Sequence, residues 1–436
     1  MCQKHRRDFA FNPALSIIFV HFKAKFMSQA TSYPKEKINI LFLENISDKA
    51  VEQFKKNGYV NVKKLSGALG EEELVKEIKD VHLLGIRSKT KVTPAVLNAA
   101  KKLQAIGCFC IGVNQVNLKE ATKHGVTVFN APYSNTRSVA ELVIGASIML
   151  IRRIPDKNKA AHDGTWMKES KGSFELRGKK LGIIGYGNIG SQLSVLAESL
   201  GMKVIFYDIE TKLPLGNASS VNTIEELVAE SDVISLHVPE TPQTKNLINE
   251  SILKHFKKGA ILINYARGEV VDLDALSASL KEGNLTGAAI DVYPWEPEKN
   301  GDKFKTPLQG LSNVILTPHI GGSTEEAQEN IGDDVSTKLF NYLEKGITFG
   351  SHTVPALSLP PVEGAHRILH IHNNVPGVLS AINTALSKNN INIVGQYLKT
   401  NDEIGYVVLD VDKQLSEKAF ELIKEVKETI KVRMLY

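Results

Sequence analysis

A glycine-rich turn between a strand-like and a helix-like segment constrains this chain more than any other feature. In LGIIGYGNIG the glycines are Gly185, Gly187 and Gly190, and the helical pattern SQLSVLAESLG follows them. The strand-like run KVIFYD comes next and ends at Asp208, 18 residues beyond Gly190. This context is typical of a βαβ unit whose turn holds a dinucleotide pyrophosphate against a helix N-terminus. A tight turn without a ligand is the alternative.

Asp208 bears on which dinucleotide would bind. A carboxylate at this position accepts hydrogen bonds from both ribose hydroxyls and repels a 2′-phosphate. The residues that follow are Ile209, Glu210 and Thr211, with no arginine among them. The pattern therefore favours NAD over NADP, although Asp208 could instead simply cap its strand.

Short β-rich runs alternate with amphipathic helical runs from residue 37 onward, which predicts parallel α/β units. Two long helical patterns, TRSVAELVIGASIMLIRRIPD and TEEAQENIGDDVSTKLFNYLEKG, bracket the series that contains the glycine turn. We therefore predict an α/β fold in which a Rossmann-type nucleotide-binding domain is inserted into a flavodoxin-like substrate domain. A third domain with βαββαβ order is predicted to be ferredoxin-like. The predicted limits are 1–36 for an extension, 37–133 with 321–349 for the substrate domain, 134–320 for the nucleotide domain, 350–363 for a linker and 364–436 for the third domain.

The formal net charge of +5 is concentrated in the first 26 residues, where five basic residues stand against one acidic residue. The rest of the chain is nearly neutral, which argues against nucleic-acid binding. This segment loosely resembles a secretory signal, but Met27 opens a second plausible start. A mis-assigned start or a disordered extension is the favoured interpretation.

The chain has only three cysteines. So few cysteines are typical of a reducing compartment and exclude a disulfide framework. No apolar run approaches the roughly 20 residues that a membrane helix needs. We expect a cytoplasmic protein with no membrane partner, and no metal site is predicted.

Polar residues at three strand ends supply candidate chemistry. Arg267 follows the strand in ILINYARGEVVD, and His319 follows NVILTP. Asp291 and Glu296 lie in AAIDVYPWEPE. Ligands bind at the carboxyl ends of strands in open parallel sheets. An imidazole beside a carboxylate has a shifted pKa and can act as an acid/base. An arginine can hold a substrate carboxylate. Each residue alone could be an ordinary loop residue, but their coincidence behind a dinucleotide motif favours catalysis.

Six segments, in this order, resemble the D-isomer-specific 2-hydroxyacid dehydrogenase superfamily: IGCFCIGVNQV, FNAPYSNTRSVAELVIG, GYGNIG, NYARGEVVD, DVYPWEPE and LTPHIGGST. The resemblance implies an NAD-dependent enzyme in which Arg267 is the catalytic arginine, Glu296 the glutamate and His319 the proton donor. The implied cofactor contacts are Gly185, Gly187, Asn188, Ile189, Gly190, Asp208, Tyr265, Ala266, Arg267, Asp291, His319, Ile320, Gly321 and Gly322.

Within this superfamily the segments are similar to the branch that oxidises 3-phospho-D-glycerate to 3-phosphohydroxypyruvate, the first step of the phosphorylated L-serine pathway. Reduction of 2-oxoglutarate is a second activity that this resemblance allows. The expected substrate contacts are Arg87, Ser88, Lys89 and Asn135. Relatives often have a second arginine where this chain has Lys89, and Arg87 and Lys89 could instead be solvated loop cations.

The segment HIHNNVPGVLSAINTALSKNNINI resembles the start of an ACT domain, a small-molecule sensor. The resemblance implies that His372, Asn374 and Asn392 bind L-serine between two such domains, with feedback inhibition and a homotetramer as consequences. A domain used only for assembly is the alternative. Two other functions stay open: a reductase of glyoxylate or hydroxypyruvate, and a non-enzymatic NAD sensor like the corepressors that share this fold.

Overall fold

The computed structural model describes residues 34–297, 301–360 and 362–435. The extension predicted over 1–36 lies outside these ranges except for residues 34–36. Residues Lys35–Lys37 form a 3-10 turn, and Lys35 Nζ lies 2.5 Å from Glu344 Oε1. The chain is therefore tied down from its first described residues.

The first unit is a parallel five-stranded sheet with the order β2-β1-β3-β4-β5. Its elements are β1 (Ile40–Phe42), α1 (Asp48–Lys56), β2 (Val62–Lys64), α2 (Glu71–Glu77), β3 (Leu83–Ile86), α3 (Pro94–Ala99), β4 (Ala105–Cys108), α4 (Leu118–Lys123) and β5 (Thr127–Asn130). Apart from the edge strand β2, these strands are buried along their length. Such strands are expected where helices cover both faces of a parallel sheet, and the order is flavodoxin-like, as predicted.

The long helical pattern after β5 is broken into α5 (Thr136–Ile151) and α6 (Ile154–His162). The sequence predicted one continuous helix over 136–156, and that prediction is wrong. Arg153 adopts a left-handed φ of 54°, and Pro155 lies in the first turn of α6. A proline lacks the N–H that a continuing helix needs and crowds the preceding turn, so the first helix ends before it.

The second unit is a parallel seven-stranded sheet with the order β12-β11-β10-β9-β6-β7-β8. Its elements are β6 (Lys180–Ile184), α7 (Asn188–Ser199), β7 (Lys203–Tyr207), β8 (Ser219–Ser220), α8 (Ile224–Glu230), β9 (Val233–Leu236), α9 (Glu250–Leu253), β10 (Ala260–Asn264), α10 (Leu273–Lys281), β11 (Leu285–Ile290) and β12 (Val314–Leu316). This is the Rossmann order with one added strand. Because the strands are parallel, the carboxyl ends of β6, β9, β10, β11 and β12 lie along one edge, and the strand order reverses beside β6.

Helix α11 (Glu325–Lys345) returns the chain to the first sheet. It packs closely on β4, since a Cβ added to Gly107 would lie 2.7 Å from Val335 Cγ1. The Thr324 side chain caps its N-terminus by accepting from Ala327 N–H, and Gly346 ends it with a φ of 72°. In sequence, the seven-stranded sheet is therefore inserted between β5 and α11, which both belong to the first unit. The exact domain limits stay a prediction.

The third unit is an antiparallel sheet with the order β14-β15-β13-β16. Its elements are β13 (Ala365–Asn373), α12 (Val378–Lys388), β14 (Ile393–Thr400), β15 (Ile404–Asp412), α13 (Ser416–Lys424) and β16 (Thr429–Leu435). This is the predicted βαββαβ order, and the predicted fold class is confirmed. Its sheet also touches the end of α11, where Tyr406 Oη donates to Gly346 O at 2.6 Å and Arg433 Nη2 donates to Leu343 O at 2.7 Å.

Among the helices of the described ranges, none combines the length and the apolar character that crossing a membrane requires. The segment predicted as a linker begins against the first sheet rather than in solvent. His352 N–H donates to Val128 O at 2.9 Å, and Val128 N–H donates to Thr353 Oγ1 at 3.1 Å. The connection between the second and third units is therefore anchored on β5.

Candidate active site

The glycine turn after β6 has a shape that only glycine permits. Gly185 has a φ of 95°, and a Cβ there would lie 2.5 Å from His237 O. A Cβ on Gly190 would lie 2.3 Å from Gly185 O. Helix α7 begins at Asn188 with Gly187 as its N-cap, and no side chain caps it. The N–H groups of its first turn, including Ile189, are therefore available to an anionic ligand, which fits a dinucleotide pyrophosphate.

Asp208 lies at the carboxyl end of β7, held by the backbone on both sides. Its Oδ2 accepts from Tyr186 N–H at 2.8 Å, and its Oδ1 accepts from Glu210 N–H at 2.9 Å. The carboxylate is fixed beside the glycine turn, where a ribose would lie in a dinucleotide site. The residues after β6 and β7 therefore suit NAD.

Glu296 and His319 form an ion pair at the ends of β11 and β12. Glu296 Oε2 lies 2.8 Å from His319 Nδ1, and Glu296 Oε1 accepts from Tyr293 N–H at 3.1 Å. The hydrogen bond that His319 donates to Glu296 raises the pKa of His319 above its ordinary value. The charges of Glu296 and Asp291 raise it further, whereas partial burial and the charge of Arg267 lower it. Burial raises the pKa of Glu296, but His319, the Tyr293 N–H and the charge of Arg267 together outweigh burial, so the net pKa is lowered. The result is an imidazole whose charged form is favoured by a fixed carboxylate.

Arg267 lies at the end of β10, in a turn built by Asn264. Asn264 Oδ1 accepts from Ala266 N–H at 3.1 Å, and Asn264 Nδ2 donates to Arg267 O at 2.9 Å. The turn also includes Tyr265, which is buried, and Arg267 Nη1 donates to Ala266 O at 2.6 Å. The guanidinium is close enough to lower the pKa values of both Glu296 and His319. The structure therefore brings the three predicted catalytic side chains together.

Asp291 and the turn of residues 319–322 meet at the same edge. Asp291 is buried, and its carboxylate accepts from Ile320 N–H at 2.8 Å and Gly321 N–H at 2.7 Å. Asn135, at the start of α5, lies so close that a Cβ on Gly322 would be 2.1 Å from Asn135 Nδ2. The turn that carries His319 therefore contacts both a strand end of the second unit and the helix that enters it.

The predicted substrate loop follows β3, with Ser88 and Lys89 exposed and Arg87 half-buried. Glu44 shapes this loop, because its carboxylate accepts from the N–H groups of Arg87 at 3.1 Å, Lys89 at 2.9 Å and Thr90 at 2.8 Å. Glu44 follows β1 with a left-handed φ of 58°. A buried carboxylate thus presents two cations at the carboxyl edge of the first sheet.

The three predicted effector residues do not meet within one chain. His372 pairs with Gly405 and, across β15, lies level with Thr400 of β14. Asn392 precedes β14 at its opposite end, eight residues and about 26 Å along the strand from Thr400. Asn374 follows β13 directly, where its Nδ2 donates to Asn401 O at 2.7 Å. His372 and Asn374 share one end of the sheet, and Asn392 lies at the other.

Three residues that support this site were not predicted from the sequence: Glu44, Asn264 and Thr317. Each is a polar residue at the end of a parallel strand, which is the signal that identified Arg267 and His319. Asn264 and Thr317 stand beside those residues in NYARG and LTPHI, and Glu44 follows the first strand in LFLEN. What the sequence did not show is that their side chains bind backbone N–H groups or another carboxylate.

Family profiles match two parts of the chain. Residues 144–321 match the NAD binding domain of D-isomer specific 2-hydroxyacid dehydrogenases. Residues 368–431 match the ACT domain of the AHAS small subunit type. The first match contains the glycine turn, Arg267, Glu296 and His319, and the second contains β13 to β16 almost entirely.

Curated relatives and solved structures are similar over most of the chain. D-3-phosphoglycerate dehydrogenase of Haemophilus influenzae is 53% identical over 410 residues, which are 94% of this chain and 100% of that protein. The enzyme of the same name from Dictyostelium discoideum is 50% identical over 94% of this chain and 100% of its own length. D-lactate dehydrogenase from Aquifex aeolicus, solved with NAD and lactic acid, is 28% identical with a TM-score of 0.63, and the match covers 73% of this chain and 100% of that one.

The cofactor assignment and the enzyme class follow from the geometry and these likenesses together. The chain has a glycine turn, a carboxylate at the end of the next strand and a histidine–glutamate–arginine cluster, an arrangement that fits an NAD-dependent oxidoreductase acting on 2-hydroxy acids. It belongs to the D-3-phosphoglycerate dehydrogenase family of NAD-dependent D-isomer-specific 2-hydroxyacid dehydrogenases that have a C-terminal ACT domain.

Proposed function

We propose that this chain oxidises 3-phospho-D-glycerate to 3-phosphohydroxypyruvate with NAD, the first step of phosphorylated L-serine synthesis, under feedback control by L-serine. The observation that carries the chemistry is the 2.8 Å contact between Glu296 and His319 beside Arg267. The substrate assignment is supported by curated relatives named D-3-phosphoglycerate dehydrogenase, which match this chain over their whole length.

The proposed roles follow from the charges and donors. Arg267 holds the substrate carboxylate by paired hydrogen bonds. Because Nδ1 of His319 is engaged by Glu296, Nε2 is the atom that exchanges a proton with the substrate C2 oxygen. In oxidation Nε2 takes the hydroxyl proton, and Glu296 stabilises the imidazolium that forms. Bound NAD supplies the hydride acceptor.

The direction of the reaction sets the required charge on His319. Oxidation starts with neutral His319 and reduction starts with the imidazolium. Since the pKa of His319 is raised, reduction is expected to persist to higher pH than an ordinary histidine would allow. Oxidation is expected to gain rate as the pH rises through that pKa.

Arg87, Ser88 and Lys89 are proposed to bind the substrate phosphate, with Asn135 near the substrate. The support is that Glu44 fixes the backbone of this loop through three N–H groups, leaving the two cationic side chains free to reach outward. A phosphate favours both cations and the Ser88 hydroxyl. Lys89 contributes as a point charge, where an arginine would bind in two-point fashion.

The proposed L-serine site is formed between two chains. His372 and Asn374 lie at one end of the third sheet and Asn392 at the other. These residues can therefore bind one small molecule together only when two copies associate so that the His372 end of one sheet meets the Asn392 end of the other. The Nε2 atom of His372 is buried without a hydrogen-bond partner within the described chain, and an effector would have to reach it for this residue to take part. This supports a homo-oligomer, and we propose a tetramer.

The test follows NADH absorbance with purified protein and 3-phosphohydroxypyruvate, with and without L-serine, beside a His319→Ala variant. We expect turnover that serine suppresses and that the substitution abolishes. Activity that serine leaves untouched would limit the third domain to assembly. Turnover with glyoxylate or 2-oxoglutarate but not with this acceptor would overturn the substrate assignment. Binding of NADH without turnover of any acceptor would indicate a sensor instead of an enzyme.

A further inference from the structure

The turn that carries His319 is conformationally strained. His319 has a φ of 55°, in the left-handed region that side chains other than glycine rarely adopt. The two residues after it donate their N–H groups to the Asp291 carboxylate, Ile320 to Oδ1 and Gly321 to Oδ2. A strained residue persists only where its surroundings hold it, and here one buried carboxylate holds both following peptides.

Thr317 in turn fixes that carboxylate. Its Oγ1 donates to Asp291 Oδ1 at 2.6 Å, a short hydrogen bond to a charged acceptor. Thr317 itself is rigid, because its N–H donates to Ile290 O at 3.0 Å and its O accepts from Tyr293 Oη at 3.1 Å. The backbone of Thr317 is therefore held in place, so its hydroxyl can orient the Asp291 carboxylate.

The neighbouring tyrosine does not duplicate this contact. The Tyr265 hydroxyl is buried and lies beside the Thr317 side chain, but it makes no hydrogen bond to the Asp291 carboxylate. Burial, followed by the charge of Asp291, raises the pKa of Tyr265, so its hydroxyl keeps its proton. The side-chain hydroxyl that does engage Asp291 is the one on Thr317.

We propose that Thr317 is a positioning residue for proton transfer: its hydroxyl orients Asp291, which holds the peptides of Ile320 and Gly321 and so keeps the His319 ring on Glu296. The inference rests on the proposed role of His319. It gives Asp291 a task in addition to contact with the cofactor. Thr317, directly after β12, is not itself a reacting group, but the inference makes its hydroxyl a determinant of the catalytic geometry.

The test compares Thr317→Val with Thr317→Ser. Valine keeps the shape and removes the hydroxyl, whereas serine keeps the hydroxyl and removes only the methyl group. Thr286→Val is the matched control, because Thr286 Oγ1 also makes one hydrogen bond, to Gly259 O at 2.6 Å, at the amino end of β11. Turnover, the NADH dissociation constant by fluorescence and the pH profile of reduction are measured for each variant.

We expect Thr317→Val to lower kcat by about ten- to a hundredfold, as a small misplacement of a reacting group does, with the NADH dissociation constant changed by less than about threefold. The upper pH limb of reduction should move to lower pH, because a looser turn weakens the Glu296 contact that raises the pKa of His319. Thr317→Ser should restore both readouts, and Thr286→Val should match the parent protein.

An unchanged kcat and pH profile in Thr317→Val would overturn the inference. So would a Thr317→Ser variant as impaired as Thr317→Val, since that result would assign the effect to the methyl group. If the valine variant does not fold, Thr317→Cys and Thr317→Ala replace it. Cysteine keeps a weaker donor, so the kcat of Thr317→Cys must then fall between the kcat values of Thr317→Ser and Thr317→Ala. Turnover retained by His319→Ala would contradict the proposed function itself, a result distinct from any of these.

Discussion

The catalytic edge of the seven-stranded sheet and the sheet of the third domain treat histidine in opposite ways. His319 is exposed over part of its ring, and the hydrogen bond it donates to Glu296 raises its pKa. His370 is fully buried in β13, with Nε2 on Thr429 Oγ1 and Nδ1 without a partner. Burial, and then the nearby His372, lowers the pKa of His370 to about 3. The difference shows that a carboxylate partner, not burial, makes a histidine an acid/base at neutral pH.

The largest expected effect comes from replacing each histidine by asparagine. His319→Asn should lower turnover by about 10²- to 10⁴-fold, the usual contribution of a general acid or base. His370→Asn removes a fully buried polar ring that stays neutral and lies outside the catalytic edge, so turnover without effector should match the parent protein. Steady-state rates with both variants measure the contrast, and equal losses in the two would contradict it.

Glu296→Gln keeps a hydrogen-bond acceptor for His319 but removes the charge. Because the Glu296 hydrogen bond and charge raise the pKa of His319, the substitution should move the upper pH limb of reduction to lower pH. At neutral pH we expect a loss of about ten- to a hundredfold in kcat. A pH profile with an unmoved limb would show that the glutamate acts through shape alone.

A smaller effect is expected where the third domain meets the first unit. Lys431 of β16 donates from Nζ to Leu103 O at 2.7 Å, and burial, with the charge of Arg433 added, lowers its pKa to about 7. A free lysine titrates near 10.4, so between about pH 7 and 10 the unfolded chain binds the extra proton. Stability should therefore rise with pH across that window, and the full cost of burying the charge should be present below it.

Lys431→Met removes that charge while keeping an unbranched side chain. The substitution should raise the melting temperature at pH 7 by about 2–4 °C, the shift that a gain of roughly 1 kcal/mol in the free energy of unfolding causes in a unit of about 150–250 residues. It should also flatten the dependence of melting temperature on pH between 7 and 10. Calorimetry of both proteins across that range measures this, and a methionine variant that keeps the slope would contradict the assignment to Lys431.

The sequence predicted the parts of this site that depend on local pattern. The glycine turn, Asp208 and the strand ends bearing Arg267 and His319 follow from hydrophobic runs and punctuation, because parallel strands bring their carboxyl ends to one edge. The βαββαβ order of the third unit was visible for the same reason. Each of these features is encoded within a few tens of residues.

What the sequence did not show depends on contacts between distant residues. Glu44 binds a loop more than forty residues away, and Thr317 binds Asp291 across two strands. The break at Arg153 and the separation of Asn392 from His372 likewise depend on a single left-handed residue and on sheet register. A polar residue at a strand end indicates a site, but its partner is set by how the strands align.

The pKa of His319, measured by NMR on protein with isotopically labelled histidine, is the most direct test of the contrast between the two regions. We expect His319 to titrate above the ordinary histidine value and to fall when Glu296 is replaced by glutamine, while His370 stays neutral down to strongly acidic pH. A His319 that titrates below the ordinary value, or that does not respond to Glu296→Gln, would contradict the assignment of this pair as the acid/base of the enzyme.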